Sequence, residues 1–235
     1  MISLPIGILA MITIMTFVLG GMDVKTVLNT HAFLLVFFGT GAVLALSTPV
    51  QGIKGLWIAL MSLRKKEDSE SVINQELIRL SKDKVTHSES LHPLIRYASS
   101  LWEQGLDADT ITELLNQKVD ELNREAKDAV TTMRNLAKYP PALGMTGTVV
   151  GLVALFSSLT AENRGNIGPS LALALTATFY GLILANTILM PLADRLQVSH
   201  QTQAKLNERI FNVLILIHEG KPASIIKEKL DDQAA

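Results

Sequence analysis

The side chains able to do chemistry in the apolar stretches of this 235-residue chain are hydroxyls and amides rather than acids, bases or thiols. Thr148 lies in one such stretch, and Thr176, Thr178 and Asn186 lie in another. A Thr in a membrane helix ordinarily bonds the carbonyl four residues back and does nothing more. Hydroxyls on two neighbouring helices can also line a narrow hydrated path for water or a cation, and both readings stand at this point. Gly144, Gly147 and Gly151 recur every three or four residues, which leaves one helix face nearly flat. That face suits either ordinary packing or an unusually close helix neighbour. Pro141 and Pro191 would break or kink the helix ends that carry them. The five histidines, His31, His87, His92, His200 and His218, show no metal-ligand spacing, and there is no cysteine. Without a phosphate loop or a Ser/His/Asp set, neither an enzyme nor a cofactor is expected.

The elements that must hold these residues follow from composition. The chain is 48% hydrophobic but only 18% charged, against about 25% charged in soluble domains. Four stretches contain no Lys, Arg, Asp or Glu: Ile2–Gly21, Thr26–Ile53, Tyr139–Ala161 and Asn166–Ala193. Each is long enough for the roughly 20 apolar residues that cross a bilayer. The expected fold is all-α, a polytopic membrane protein with four transmembrane helices and a helical cytoplasmic domain. The organisation reads as a transmembrane hairpin (1–53), a cytoplasmic helical domain (54–138), a second hairpin (139–193) and a cytoplasmic helical tail (194–235). No basic residue precedes Lys25, so the first span is expected to be a retained helix rather than a signal peptide. A net charge of −1 offers no basic field for nucleic acid.

Each hairpin loop holds a single basic residue, Lys25 or Arg164, whereas Lys54, Arg64, Lys65, Lys66, Arg134, Lys138, Arg195 and Lys205 flank the other side. By the positive-inside rule the middle segment, the tail and both termini are cytoplasmic. In the middle segment Thr110-Ile111-Thr112-Glu113 reads as a capping box. Behind it, Ile111, Leu115, Val119, Leu122, Ala126, Ala129, Met133 and Leu136 make an apolar stripe on one long helix. The stripe could pack within its own chain or against a second subunit. Gly220-Lys221-Pro222 marks a helix stop.

No span contains an Asp, Glu, Lys or Arg, and His31, a side-chain type that titrates close to neutral pH, lies at an outer end. Ion pumps and transporters normally use an intramembrane ionisable group to hold or relay the ion. Either the chain conducts nothing, or a partner supplies the carboxylate.

The run from Pro141-Ala142-Leu143-Gly144-Met145-Thr146-Gly147-Thr148 to Gly151-Leu152 resembles the third span of MotA/PomA stator subunits. The run from Ile167-Gly168-Pro169 through Thr176-Ala177-Thr178-Phe179-Tyr180-Gly181 to Asn186, then Pro191-Leu192-Ala193-Asp194-Arg195-Leu196, is similar to their fourth. The resemblance implies a stator subunit of the inner membrane, five copies of which surround two single-span helices of a MotB-like, peptidoglycan-binding partner. That partner brings the essential Asp. The transported species is a proton or a sodium ion, with no cofactor. Thr148, Thr178 and Ala177 fall at ion-path positions, Pro141 and Pro191 at the family's coupling prolines, and Gly144, Gly147, Gly151 and Gly181 at helix contacts. Ala177 stands where some sodium-driven members have Thr, which leans towards protons. Arg79, Lys82, Lys84 and Glu89 lie in the insert that contacts a cytoplasmic rotor in the family. The family's glycines and acidic helix are missing there. The other readings are an energy-coupling subunit of an envelope complex, as in ExbB and TolQ, and a passive membrane scaffold.

Overall fold

The computed structural model describes residues 3–20, 28–63, 70–83, 92–157 and 167–232. Every regular element among them is helical. They are α1 (Ser3–Leu19), α2 (Thr30–Ser47), α3 (Val50–Ser62), α4 (Glu70–Asp83), α5 (Pro93–Glu103), α6 (Ala108–Leu136), α7 (Tyr139–Ser157), α8 (Ile167–His218) and α9 (Ala223–Asp232). Three helical runs are long and apolar enough to cross a membrane: α2, the run Ala108–Ser157 formed by α6 and α7, and α8. The 17 residues of α1 include no Lys, Arg, Asp or Glu. Lys25, Arg164, Lys65, Lys66, Lys84 and Glu89 lie outside the described residues.

Local chemistry sets several boundaries. Asn29 caps α2 by accepting a 3.0 Å hydrogen bond from the Ala32 amide. Thr48, which precedes Pro49, is extended at φ −128° and ψ 127°, and α2 ends there. The chain then re-enters a helix, α3, which begins at Val50 and runs into the segment read as helical from residue 54. α8 stops in a Schellman motif: Gly220 takes φ +72°, its amide donates to Ile217 O at 3.1 Å, and the Lys221 amide donates to Leu216 O at 3.0 Å.

Two local expectations are refined. Of a break or a kink at Pro191, the break does not occur: α8 runs from Ile167 to His218 and so takes in the tail helix. The turn just before the proline is π-helical, over Leu184–Leu189. A proline has no amide for the carbonyl four residues back and clashes with it, and one widened turn relieves both problems. The expected capping box at Thr110 is also displaced. The cap is Asp107, whose Oδ2 accepts the Thr110 amide at 3.1 Å and whose Oδ1 accepts the Thr110 hydroxyl at 2.7 Å. Thr110 thus sits inside the first turn, and Asp107 does the work expected of it.

The chain divides into two compact units, Met1–Leu56 with Ala129–Arg195, and Trp57–Asp128 with Leu196–Ala235. The apolar stripe of α6 is buried within the chain in both: Ile111, Leu115 and Val119 in the second unit, and Ala129, Met133 and Leu136 in the first. The second unit has its own core, built from Leu77 and Leu80 of α4, Leu94 and Ile95 of α5, Leu115 of α6, Ile210 and Leu214 of α8, and Ile226 and Leu230 of α9. Arg209, 8% exposed, donates to Asn74 Oδ1 at 3.2 Å and to Leu230 O at 2.9 Å. It joins α4 to the end of α9.

The side-chain and amide hydrogen bonds from Thr110 hold the Asp107 carboxyl below its ordinary range. A depressed folded pKa means stability that is present above the unfolded value and is lost as pH falls through the folded one. Asp107→Ala should therefore lower the thermal midpoint of helix loss, followed by circular dichroism, by a constant amount at neutral pH. The gap between the two proteins should shrink below about pH 4.

Candidate functional site

Thr148 and Thr178 meet where α7 lies against the apolar part of α8. This contact is close because of glycine. A Cβ on Gly144 would stand 2.9 Å from the Ala177 carbonyl and from Thr178 Cα, and one on Gly151 would stand 2.8 Å from Ala174 Cβ and from Ser170 O. One on Gly147 would run into the Ala177 methyl, and one on Gly181 into the Pro140 carbonyl. All four glycines are buried. The flat face read from the α7 spacing is therefore a contact within the chain, and Gly181 answers it from α8.

That approach brings Thr148 and Thr178 together. Their Oγ1 atoms are 2.5 Å apart. Thr148 Oγ1 is 3.2 Å from the carbonyl of Gly144, four residues back on its own helix, and 3.1 Å from the carbonyl of Ala174 on α8. Thr178 Oγ1 is 3.2 Å from the Gly144 carbonyl on α7. Ala174 is the residue four back from Thr178, so each hydroxyl reaches the carbonyl that the other would ordinarily take. The local reading of a membrane Thr holds for one of three contacts at Thr148 and for none of those at Thr178. Thr146, by contrast, donates only to its own Ala142 carbonyl, at 3.0 Å.

The two hydroxyls have one proton each, so the four oxygens cannot all be satisfied as acceptors at once. Either Thr148 donates to Thr178, which donates to Gly144 O, or Thr178 donates to Thr148, which donates to Ala174 or Gly144 O. The chain of hydrogen bonds can reverse with the heavy atoms in place. Hydroxyl and carbonyl oxygens can solvate a cation or a water but hold no net charge, so they cannot themselves neutralise an ion or carry a proton at neutral pH. Both threonines are half-buried.

The remaining residues singled out from the sequence fall in different places. Ala177 is fully buried, and its methyl occupies the space opposite Gly147. Pro141 is half-buried in the first turn of α7, behind Pro140, whereas Pro191 is exposed just past the π turn. Arg79 is largely exposed and pairs with Glu76 of its own helix at 3.6 Å. Lys82 belongs to the backbone of α4.

Sequence reasoning missed Tyr180. Its hydroxyl accepts a 3.3 Å hydrogen bond from the amide of Asn29 at the start of α2, and its ring meets Phe33 edge-on with centroids 6.5 Å apart. Leu35 of α2 is 3.0 Å from the Cβ position of Gly147, so α2 closes over the α7–α8 pair. The one Tyr of its span, beside Phe179, was the available signal.

Comparison with known proteins places this arrangement among relatives. A family model described as the MotA/TolQ/ExbB proton channel family matches residues 70–209. The chain is 32% identical over 138 residues to motility protein A of Borreliella burgdorferi, covering 59% of this chain and 52% of the relative. It is 34% identical over 127 residues to chemotaxis protein PomA of Vibrio alginolyticus, covering 54% of this chain and 49% of the relative. These alignments span about half the length of each relative. The fold is shared with the structure of C. jejuni MotAB, with a TM-score of 0.84 over 99% of this chain and 95% of that one, at 18% identity.

Gly181→Ala and Gly147→Ala should each lower the thermal midpoint of the detergent-solubilised protein, at an overpacking cost of about 1–3 kcal/mol. Gly41→Ala is the matched control, because nothing lies within 4 Å of its added Cβ. It should leave the midpoint unchanged or raise it.

Proposed function

Because the chain belongs to the MotA/TolQ/ExbB proton channel family, we propose that it is the MotA-like subunit of an ion-driven rotary stator in the bacterial inner membrane. The observation that carries this reading is the Thr148–Thr178 pair, a reversible hydroxyl chain between two stretches, 139–161 and 166–193, that hold no charge of their own. Such a pair can pass an ion along a path only if a carboxylate comes from elsewhere. A MotB-like partner with one span and an intramembrane Asp meets that need, and the C. jejuni relative is a MotAB complex. α1 supplies a fourth span beside α2, α7 and the first part of α8, with both termini in the cytoplasm. Five copies surround two partner helices. The domain 54–138 and the tail 194–235 face the cytoplasm, where Arg79 and Lys82 lie in a helix available to a driven protein.

The physics of the cycle is simple. An Asp carboxylate at the centre of a bilayer costs about 2.5–3.5 kcal/mol on insertion scales, and one charge crossing 100 mV releases about 2.3 kcal/mol. Neutralising the partner Asp by a proton or a sodium ion removes a cost similar to the energy available. The neutral side chain can then pass from one subunit to the next. Thr148 and Thr178 line that path, and Ala177 keeps α7 and α8 close behind it. Pro141 and Pro191, at the cytoplasmic ends of the two helices, couple ion passage to movement. The chain itself needs no cofactor.

Two experiments test this. Native mass spectrometry of the tagged complex from its host should find five copies with two of a single-span, Asp-bearing protein. A homo-oligomer without one would end the ion-driven reading. Thr178→Val should reduce ion flux by about fivefold or more, the equivalent of one hydrogen bond of about 1 kcal/mol. Thr146→Val should leave flux unchanged, because its hydroxyl bonds only its own helix.

A further inference from the structure

A cavity of about 400 Å³ opens beside the ends of the apolar helices, and of its lining residues the stator mechanism uses Pro141 alone. Thr131, Arg134 and Asn135 from the end of α6, Lys138 from the bend before α7, and Asn186 and Met190 from α8 line it, with alkyl side chains making up the rest of its wall. Both charged residues in the lining are cations. Arg134 pairs with Asp194 at 3.3 Å, with both side chains about half exposed or more. Lys138 Nζ donates to Asn135 Oδ1 at 2.8 Å, a neutral partner that leaves its charge unbalanced. Asn186 is displayed by the π turn in a stretch that is otherwise free of amide side chains after Asn166.

Its level along the helices is set by the sequence. Lys138 is the last charged residue before the stretch 139–161, and Asp194 is the first after 166–193. The cavity therefore sits where apolar helix gives way to charge, and both cations and alkyl side chains line it. We propose that it binds the phosphate of an anionic membrane phospholipid, held by Arg134 and Lys138, with the glycerol and upper acyl carbons against Met190 and its neighbours. A free phosphate would use the cations and leave the alkyl wall idle. Basic pockets between spans on the cytoplasmic side are suited to such headgroups. The proposal rests on the membrane placement given above but not on ion conduction.

The test uses the full purified chain in detergent, with phosphatidylglycerol, phosphatidylcholine of the same acyl chains, and inorganic phosphate as probes, and lipid retention read by native mass spectrometry. At about fivefold per cation, the wild type should retain phosphatidylglycerol over phosphatidylcholine by roughly 20-fold. Arg134→Gln with Lys138→Gln should bring the ratio close to one, and Arg134→Lys with Lys138→Arg should keep it. Asp194→Asn should raise retention of phosphatidylglycerol, because the competing carboxylate is gone, a gain that misfolding would not produce. The proposal is overturned by an unchanged ratio in the double Gln variant or by no preference in the wild type. It also fails if inorganic phosphate displaces the lipid at equal concentration, or if Asp194→Asn binds no more tightly. None of these readouts needs the partner subunit, so they stand or fall separately from the stator reading.

Discussion

Two uncharged helical stretches in a lipid environment gain little from hiding apolar surface, because the surroundings are as apolar as their own side chains. What holds them together is van der Waals contact at short range and hydrogen bonds with no competing water. α7 and α8 use both. Gly144, Gly147 and Gly151 face Ala174, Ala177 and Thr178, and Gly181 faces Pro140, so the backbones come close enough for a Thr on one helix to reach a carbonyl on the other. The exchange between Thr148 and Thr178 depends on that spacing. With a Cβ in place of a hydrogen at Gly144, the Thr178 backbone would have to move away, and the hydroxyls would return to the carbonyls of their own helices.

The same contact explains why Ala177 is small. A fully buried methyl opposite Gly147 leaves no room for a branched side chain unless the helices separate. The packing of α7 on α8 therefore sets the size of the residue at this position. Tyr180 and α2 close the third side of the arrangement through the Asn29 amide and the Phe33 ring. Pro191 is handled by a different device. A widened turn absorbs the missing amide, so the helix continues, and it presents Asn186 to the cavity side. A π turn interrupts α2 as well, over Leu34–Phe38. Widened turns of this kind recur at functional sites because they break the regular helical register without breaking the helix.

The second unit obeys ordinary soluble rules. Its core is Leu and Ile from five helical segments, which is why Leu77, Leu94, Ile95, Leu115, Leu214 and Ile226 are almost wholly buried. Arg209 is charged and nearly buried, which is tolerable because its guanidinium donates to Asn74 and to the Leu230 carbonyl in the last turn of α9. Trp102 stacks on His218 with parallel rings 6.4 Å apart, fixing the end of α5 against the end of α8. The segments 57–128 and 196–235 are distant in sequence and form one body.

Composition and periodicity alone settled that this chain is helical, that its apolar stretches carry no charge, and that the α6 stripe must be covered. Each is a property of side-chain type at fixed spacing, which needs no knowledge of neighbours. The glycine spacing on α7 was likewise readable, because a flat face is flat whatever it meets. Which helix met it was not, since Gly181 has no periodic partner and Tyr180 is a single residue. Asp107 and Thr110 could each have capped α6, and only the backbone path chose between them. The pairing of Thr148 with Thr178 was beyond sequence reasoning for a similar reason. Either hydroxyl satisfies itself locally in an isolated helix, and an exchange of carbonyls exists only once two backbones are held within hydrogen-bonding reach.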